Sequence, residues 1–208
     1  MAETPTKTRV SSLARAREDL VPDAMRIAER AHRGNNHFRK APTGEDRPAY
    51  FLHLTEVAWM LQDAGLADQV VAAGFLHDLI EDCGYTRDRI AAETGNDYVA
   101  DLVQTVSEPA KRHNSWEDRN QVYLERMRRA SDDALALSCA DKTSNLRDMV
   151  RLLERGHTLE AFMSRGMDQQ LRKFEALDAV FRGRVPARLR ARFDSALSAL
   201  RRHTSAPG

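Results

Sequence analysis

A chain of 208 residues, 42% hydrophobic and 30% charged, can bury one substantial core, and a mean hydropathy of −0.57 fits a soluble globular protein. Its 32 basic and 31 acidic side chains are interspersed and leave a net charge of +1, which gives no general surface for nucleic acid. No apolar run is long enough for a membrane span and the N-terminus has no signal-like apolar region, while Cys83 and Cys139 form neither a disulfide framework nor a CxxC pair, so a cytoplasmic protein is expected.

Residues 1–20 are polar and read as a flexible N-terminal segment. From there apolar residues recur at spacings of three and four, with no strong period of two, so the fold class is all-α: a compact multi-helix bundle. A first helix is predicted over about 22–33, opened by Pro22 and closed by Gly34. A polar loop follows, then helices over about 49–63 and 67–81. Thr86 caps a short helix that stops before Gly95, and another covers about 96–107. Ser115 with Asp118 three residues on forms a variant capping box for a helix over about 116–130. Ser131 caps a long helix over about 132–155. Two more, about 158–181 and 187–202, are separated by Gly183 and Pro186. The chain divides into a core, 21–156, and C-terminal helices packed on it, 157–203.

Within this pattern the stretch "GFLHDLIEDCGYT", residues 74–86, is anomalous. An apolar helix ends in His77, Asp78, Glu81 and Asp82, which helical spacing makes neighbours. Half-buried carboxylates repel one another unless a cation compensates, and a divalent metal is the economical cation. His53 sits between Leu52 and Leu54 on the preceding helix, where a free imidazole gains little. Asp141, Asn145 and Asp148 follow a four-then-three spacing on the long helix. Taken singly, His53 is an ordinary core histidine, Asp141 an ion-pair partner of Lys142 or Arg147, and Glu81 and Asp82 a solvated helix end. One metal site accounts for all of them at once. Two imidazoles and two carboxylates suit Mn²⁺, Fe²⁺ or a related metal better than a structural zinc.

His53, the pair His77-Asp78 and Asp141 resemble the H…HD…D signature of the HD metal-dependent phosphohydrolases. "HDLIEDCGYT", "CADKTSNLRDM" and "AERAHRGNNHFRK" followed by "YFLH" are similar to segments of the (p)ppGpp hydrolases, the hydrolase domain of RelA/SpoT homologues and the small alarmone hydrolases. The resemblance runs from about 22 to 155. It implies an all-α HD-domain bundle that uses Mn²⁺ to cleave the 3′-pyrophosphate of guanosine tetra- or pentaphosphate, giving GDP or GTP. It implies His53, His77, Asp78 and Asp141 as metal ligands. Glu81 and Asp82 would activate or orient the attacking water. Arg39, Lys40, Lys142 and Asn145 would contact the nucleotide. The chain departs from the family pattern in a longer loop, 41–49, carrying Glu45 and Asp46, in Leu54 after the first histidine, and in Ser144, where a larger side chain is common.

The expected partner is a small nucleotide, with no nucleic acid and no membrane, and the C-terminal helices are placed to cover the site or to form a homo-oligomer surface. Two alternatives stand beside this reading: an HD phosphohydrolase of another nucleotide or dinucleotide phosphate, and a nucleotide-sensing module without turnover.

Overall fold

The computed structural model describes residues 19–33, 38–109 and 115–204. The expected flexible segment, 1–20, lies almost wholly outside them. Helices follow in the order α1 (Leu20–Arg33), α2 (Phe51–Asp63), α3 (Asp68–Leu76), α4 (Leu79–Asp82), α5 (Arg87–Thr94), α6 (Asp97–Val106), α7 (Trp116–Arg129), α8 (Asp132–Glu154), α9 (Met167–Phe181) and α10 (Ala187–Thr204). A short 3-10 turn, Leu159–Ala161, lies before α9. Among the described residues the extended pairing amounts to an isolated bridge between Phe38 and Ala49, so the chain is all-α.

The caps predicted at Thr86, Ser115 and Ser131 formed, and Asn96 adds one that was not predicted. The side chains of Thr86, Asn96 and Ser131 each accept a backbone N–H from the first turn of α5, α6 and α8. Both halves of the Ser115/Asp118 capping box are present at α7. Gly95 closes α5 with φ at 63°, a left-handed conformation that costs glycine little.

Helix α8 is the central element. It is buried from Ala134 through Ser144 without interruption and contacts α2, α3, α6, α9 and α10. Helix α3 is buried from Val70 to Leu76 and packs on α1, α2 and α6. The α2–α3 approach is close at Gly74, where an added Cβ would lie 2.7 Å from Leu61 Cδ1 and 3.1 Å from the Ala58 Cα. Helix α10 lies along α8, and Phe181 of α9 meets Phe193 edge to face at 5.2 Å.

Two predicted helices are broken. The segment 67–81 is not continuous: α3 ends at Leu76, His77 and Asp78 form a turn, and α4 restarts at Leu79. At the break the His77 ring takes up the Gly74 carbonyl, 2.8 Å from Nδ1, and Asp78 has φ −96° and ψ 1°, outside the helical basin. The segment 158–181 is also divided. Its 3-10 turn is stopped at Phe162, and α9 begins only after an extended Gly166.

Candidate metal centre

Three helical segments converge on the interruption at His77-Asp78. Helix α2 brings His53, the turn after α3 brings His77 and Asp78, and α8 brings Asp141. His53 and His77 each retain only about 3% of their exposure, and both aspartates are buried. His53 Nε2 and His77 Nε2 lie 3.2 Å apart. Asp78 Oδ2 is 3.0 Å from His77 Nε2 and 3.6 Å from His53 Nε2. Asp141 Oδ1 is 3.4 Å from His53 Nε2 and 3.7 Å from His77 Nε2. One ligand atom each from His53, His77 and Asp141 fits within a 4.8 Å span.

The hydrogens can be assigned from the partners. A carbonyl only accepts, so His77 Nδ1 donates to Gly74 O. Ser144 Oγ donates to Glu56 Oε2 at 2.6 Å, so it accepts from His53 Nδ1 at 2.8 Å. With Nδ1 of each ring donating, a neutral ring would turn a bare Nε2 lone pair toward two carboxylates. Four acceptors with no donor among them repel, and either an added proton or a metal cation must sit there. The protein's own charges show the strain. Burial opposes charging His77, yet Asp78 and Asp141 push it well above the usual imidazole range. Burial also opposes ionising Asp78 and Asp141, but His77 and Lys142 respectively hold them well below the usual carboxylate range. The two-nitrogen, two-oxygen donor set fits a divalent transition metal.

Two charged flanks border this cluster. On one, Arg39 is buried, ion-pairs with Asp148 and donates to Asn145 Oδ1 at 3.2 Å. Asn145 in turn donates to Asp141 Oδ1 at 2.5 Å. On the other, Lys142 Nζ bridges Asp141 Oδ2 at 2.8 Å and Glu108 Oε1 at 3.2 Å. Lys173 of α9 reaches the same Glu108 oxygen at 2.9 Å. Glu81 receives the Glu108 backbone N–H at 2.6 Å through Oε1. Solvent reaches Glu81, yet the protein crowding it, and Asp78 behind it, push its carboxyl up to about 8.

The structure thus brings together His53, His77, Asp78, Asp141, Asn145, Arg39 and Lys142. Lys40 is exposed, its Nζ 3.8 Å from Met163 Sδ. Asp82 is exposed at the end of α4, one helical turn from Asp78, whose carbonyl accepts the Asp82 N–H at 2.9 Å. Glu45 of the long loop is turned to His157 at 3.3 Å and Arg155 at 3.6 Å. Sequence reasoning missed Tyr50, Glu56, Glu108, Ser144 and Lys173 as parts of the site. Tyr50 donates to Asp78 Oδ2 at 2.5 Å, and burial, then Asp78 and Asp82, push its phenol well above the usual value. Its place three residues before His53 was a usable signal, as was that of Glu56 three residues after His53 and of Ser144 three after Asp141; Glu108 meets Lys142 across 34 residues and Lys173 across 65.

A family model described as "HD domain" matches residues 24–175. The "Probable GTP diphosphokinase RSH3, chloroplastic" of Arabidopsis thaliana is 31% identical over 141 residues, 65% of this chain and 19% of the relative, so the chain spans about a fifth of that protein's length. The "Guanosine-3′,5′-bis(diphosphate) 3′-pyrophosphohydrolase MESH1" of Mus musculus is 32% identical over 168 residues, 74% of this chain and 89% of the relative. A solved structure described as a metazoan ortholog of SpoT that hydrolyzes ppGpp superposes with a TM-score of 0.71 over 95% of this chain and 97% of its own, at 23% identity, a likeness of fold.

Proposed function

The chain belongs to the HD-domain family, and from that membership and its site we propose that it is a metal-dependent hydrolase that removes the 3′-pyrophosphate of guanosine tetra- or pentaphosphate, releasing GDP or GTP. The observation that carries this reading is the convergence of four acceptor atoms, from His53, His77, Asp78 and Asp141, between two cationic flanks.

A divalent cation, Mn²⁺ in this reading, would be held by those four residues and would supply Lewis acidity to the phosphoryl oxygens. The rest of the chemistry belongs to the chain. Glu81 is anchored through Oε1 by the Glu108 amide, which leaves Oε2 to take a proton from the attacking water. Its raised proton affinity, up to about 8, suits an acid–base role near neutral pH. Asp82, exposed like Glu81, would help orient that water, and its negative charge helps hold Tyr50 protonated as a donor to Asp78. Arg39, linked through Asn145 to Asp141, offers a guanidinium to the nucleotide phosphates, and exposed Lys40 follows it in the chain. Lys142 and Lys173 stabilise developing phosphate charge on the opposite flank. A cytoplasmic location accords with a nucleotide substrate.

The test is product analysis of the purified protein with guanosine tetraphosphate and Mn²⁺ beside Asp78→Ala. Release of GDP and pyrophosphate, lost in the variant, is expected. No release from a protein that binds Mn²⁺ would refute the alarmone substrate and direct the assay to other nucleotide and dinucleotide phosphates. Nucleotide binding without any turnover would instead support the sensing module.

A further inference from the structure

Ser144 stands where the resembled family commonly has a larger side chain, and its surroundings give that small hydroxyl a specific task. It lies three residues after Asp141 on α8, and Arg147 follows three residues later, so the three share one stripe of the helix. On α2, His53 and Glu56 share the same spacing. The two stripes face each other. Ser144 Oγ is fully buried between His53 Nδ1 at 2.8 Å and Glu56 Oε2 at 2.6 Å. The other Glu56 oxygen accepts from Arg147 NH1 at 2.8 Å. The chain Arg147–Glu56–Ser144–His53 therefore joins a guanidinium at the surface to a buried imidazole, with each hydrogen directed by the next group.

We propose that Ser144, oriented by Glu56 and Arg147, is a positioning residue that fixes His53 in its Nδ1–H tautomer and aims Nε2 at the metal. The proposal rests on the metal reading of the site. Its logic is chemical. A carboxylate can take only hydrogens, so Glu56 consumes the serine proton. Serine is then left as an acceptor, and only a protonated Nδ1 satisfies it. A side chain at 144 without a hydroxyl would make neither the 2.8 Å nor the 2.6 Å hydrogen bond and would break the relay. The same pairing sets the register between α2 and α8, and so the distance from His53 to Asp141. Partners of this kind behind a metal ligand change metal affinity by about 10–100-fold.

Two readouts test this without relying on activity. In the metal-free protein, ¹⁵N correlations of the His53 ring should show Nδ1–H in the wild type and a mixture of tautomers in Ser144→Ala. By titration calorimetry with Mn²⁺, Ser144→Ala should bind about 10–100-fold more weakly, Ser144→Thr should stay within a few-fold of wild type, and the half-buried Glu56→Ala should match Ser144→Ala. The double variant should be no weaker than either single change, because both break one chain. Wild-type affinity and tautomer in Ser144→Ala would overturn the relay while leaving the metal reading intact. Absence of Mn²⁺ binding by the wild-type protein would overturn both. Failure of Ser144→Thr to restore binding, with melting lowered equally in both variants, would assign Ser144 to packing alone and overturn the relay.

Discussion

Glu108→Ala is the perturbation with the most direct consequence for the site's electrostatics. Glu108 is shared by Lys142 at 3.2 Å and Lys173 at 2.9 Å, whose side chains keep 8% and 14% of their exposure. Removing the acid leaves Lys173 buried beside a like charge, and breaking a fully buried pair this way costs about 3–5 kcal/mol. Glu108 itself is 30% exposed and Lys142 retains Asp141 at 2.8 Å, so the expected loss is smaller, about 2–3 kcal/mol. For a chain of this length that lowers the melting temperature by roughly 5–10 °C in a thermal denaturation followed by circular dichroism. Adding Lys173→Met to Glu108→Ala should recover much of the loss. The acid limb carries the same signature. Lys142, helped by Lys173 and opposed by burial, holds the Glu108 carboxyl at about 2 against an ordinary value of 4.5. The folded state then binds fewer protons than the unfolded state between those values. The contribution is complete above pH 4.5 and disappears as pH falls toward 2. Glu108→Gln, which cannot titrate, should show a shallower loss of stability across that window than the wild type. An alanine variant melting within about 1 °C of wild type, or identical acid slopes for wild type and the glutamine variant, would refute the reasoning.

Other outcomes follow from the same geometry. Asp141→Ala should abolish stoichiometric Mn²⁺ binding in calorimetry; undiminished binding would remove Asp141 from the ligand set. Arg39→Ala should raise KM for guanosine tetraphosphate about tenfold or more with Mn²⁺ affinity retained, and an unchanged KM would place the nucleotide elsewhere. Gly74→Val should destabilise by about 1–3 kcal/mol in urea titration, since a Cβ there already meets Leu61 Cδ1 at 2.7 Å and the Ala58 backbone at 3.1 Å. Wild-type stability would show that α2 and α3 can separate without cost. Glu81→Gln should lower kcat by about 10²–10⁴-fold while Mn²⁺ still binds, and retained turnover would exclude its acid–base role.

The sequence by itself determined what depends on neighbours along the chain. Helix starts at Thr86, Ser115 and Ser131 were legible because a cap closes a hydrogen bond within three residues. The all-α class was legible because burial at spacings of three and four is a local pattern. His53, His77-Asp78 and Asp141 were legible as a set because imidazoles and carboxylates in otherwise apolar helices demand a common reason. Only the tertiary structure decided the rest. The break at His77, whose ring takes up the Gly74 carbonyl while both imidazoles face one point, has no counterpart in local helical spacing. Glu108 meets Lys173 across 65 residues and Glu56 meets Ser144 across 88. No periodicity encodes such pairs. They are set by how α2, α6, α8 and α9 pack, and a buried charge finds its partner only after the core has fixed where each helix lies.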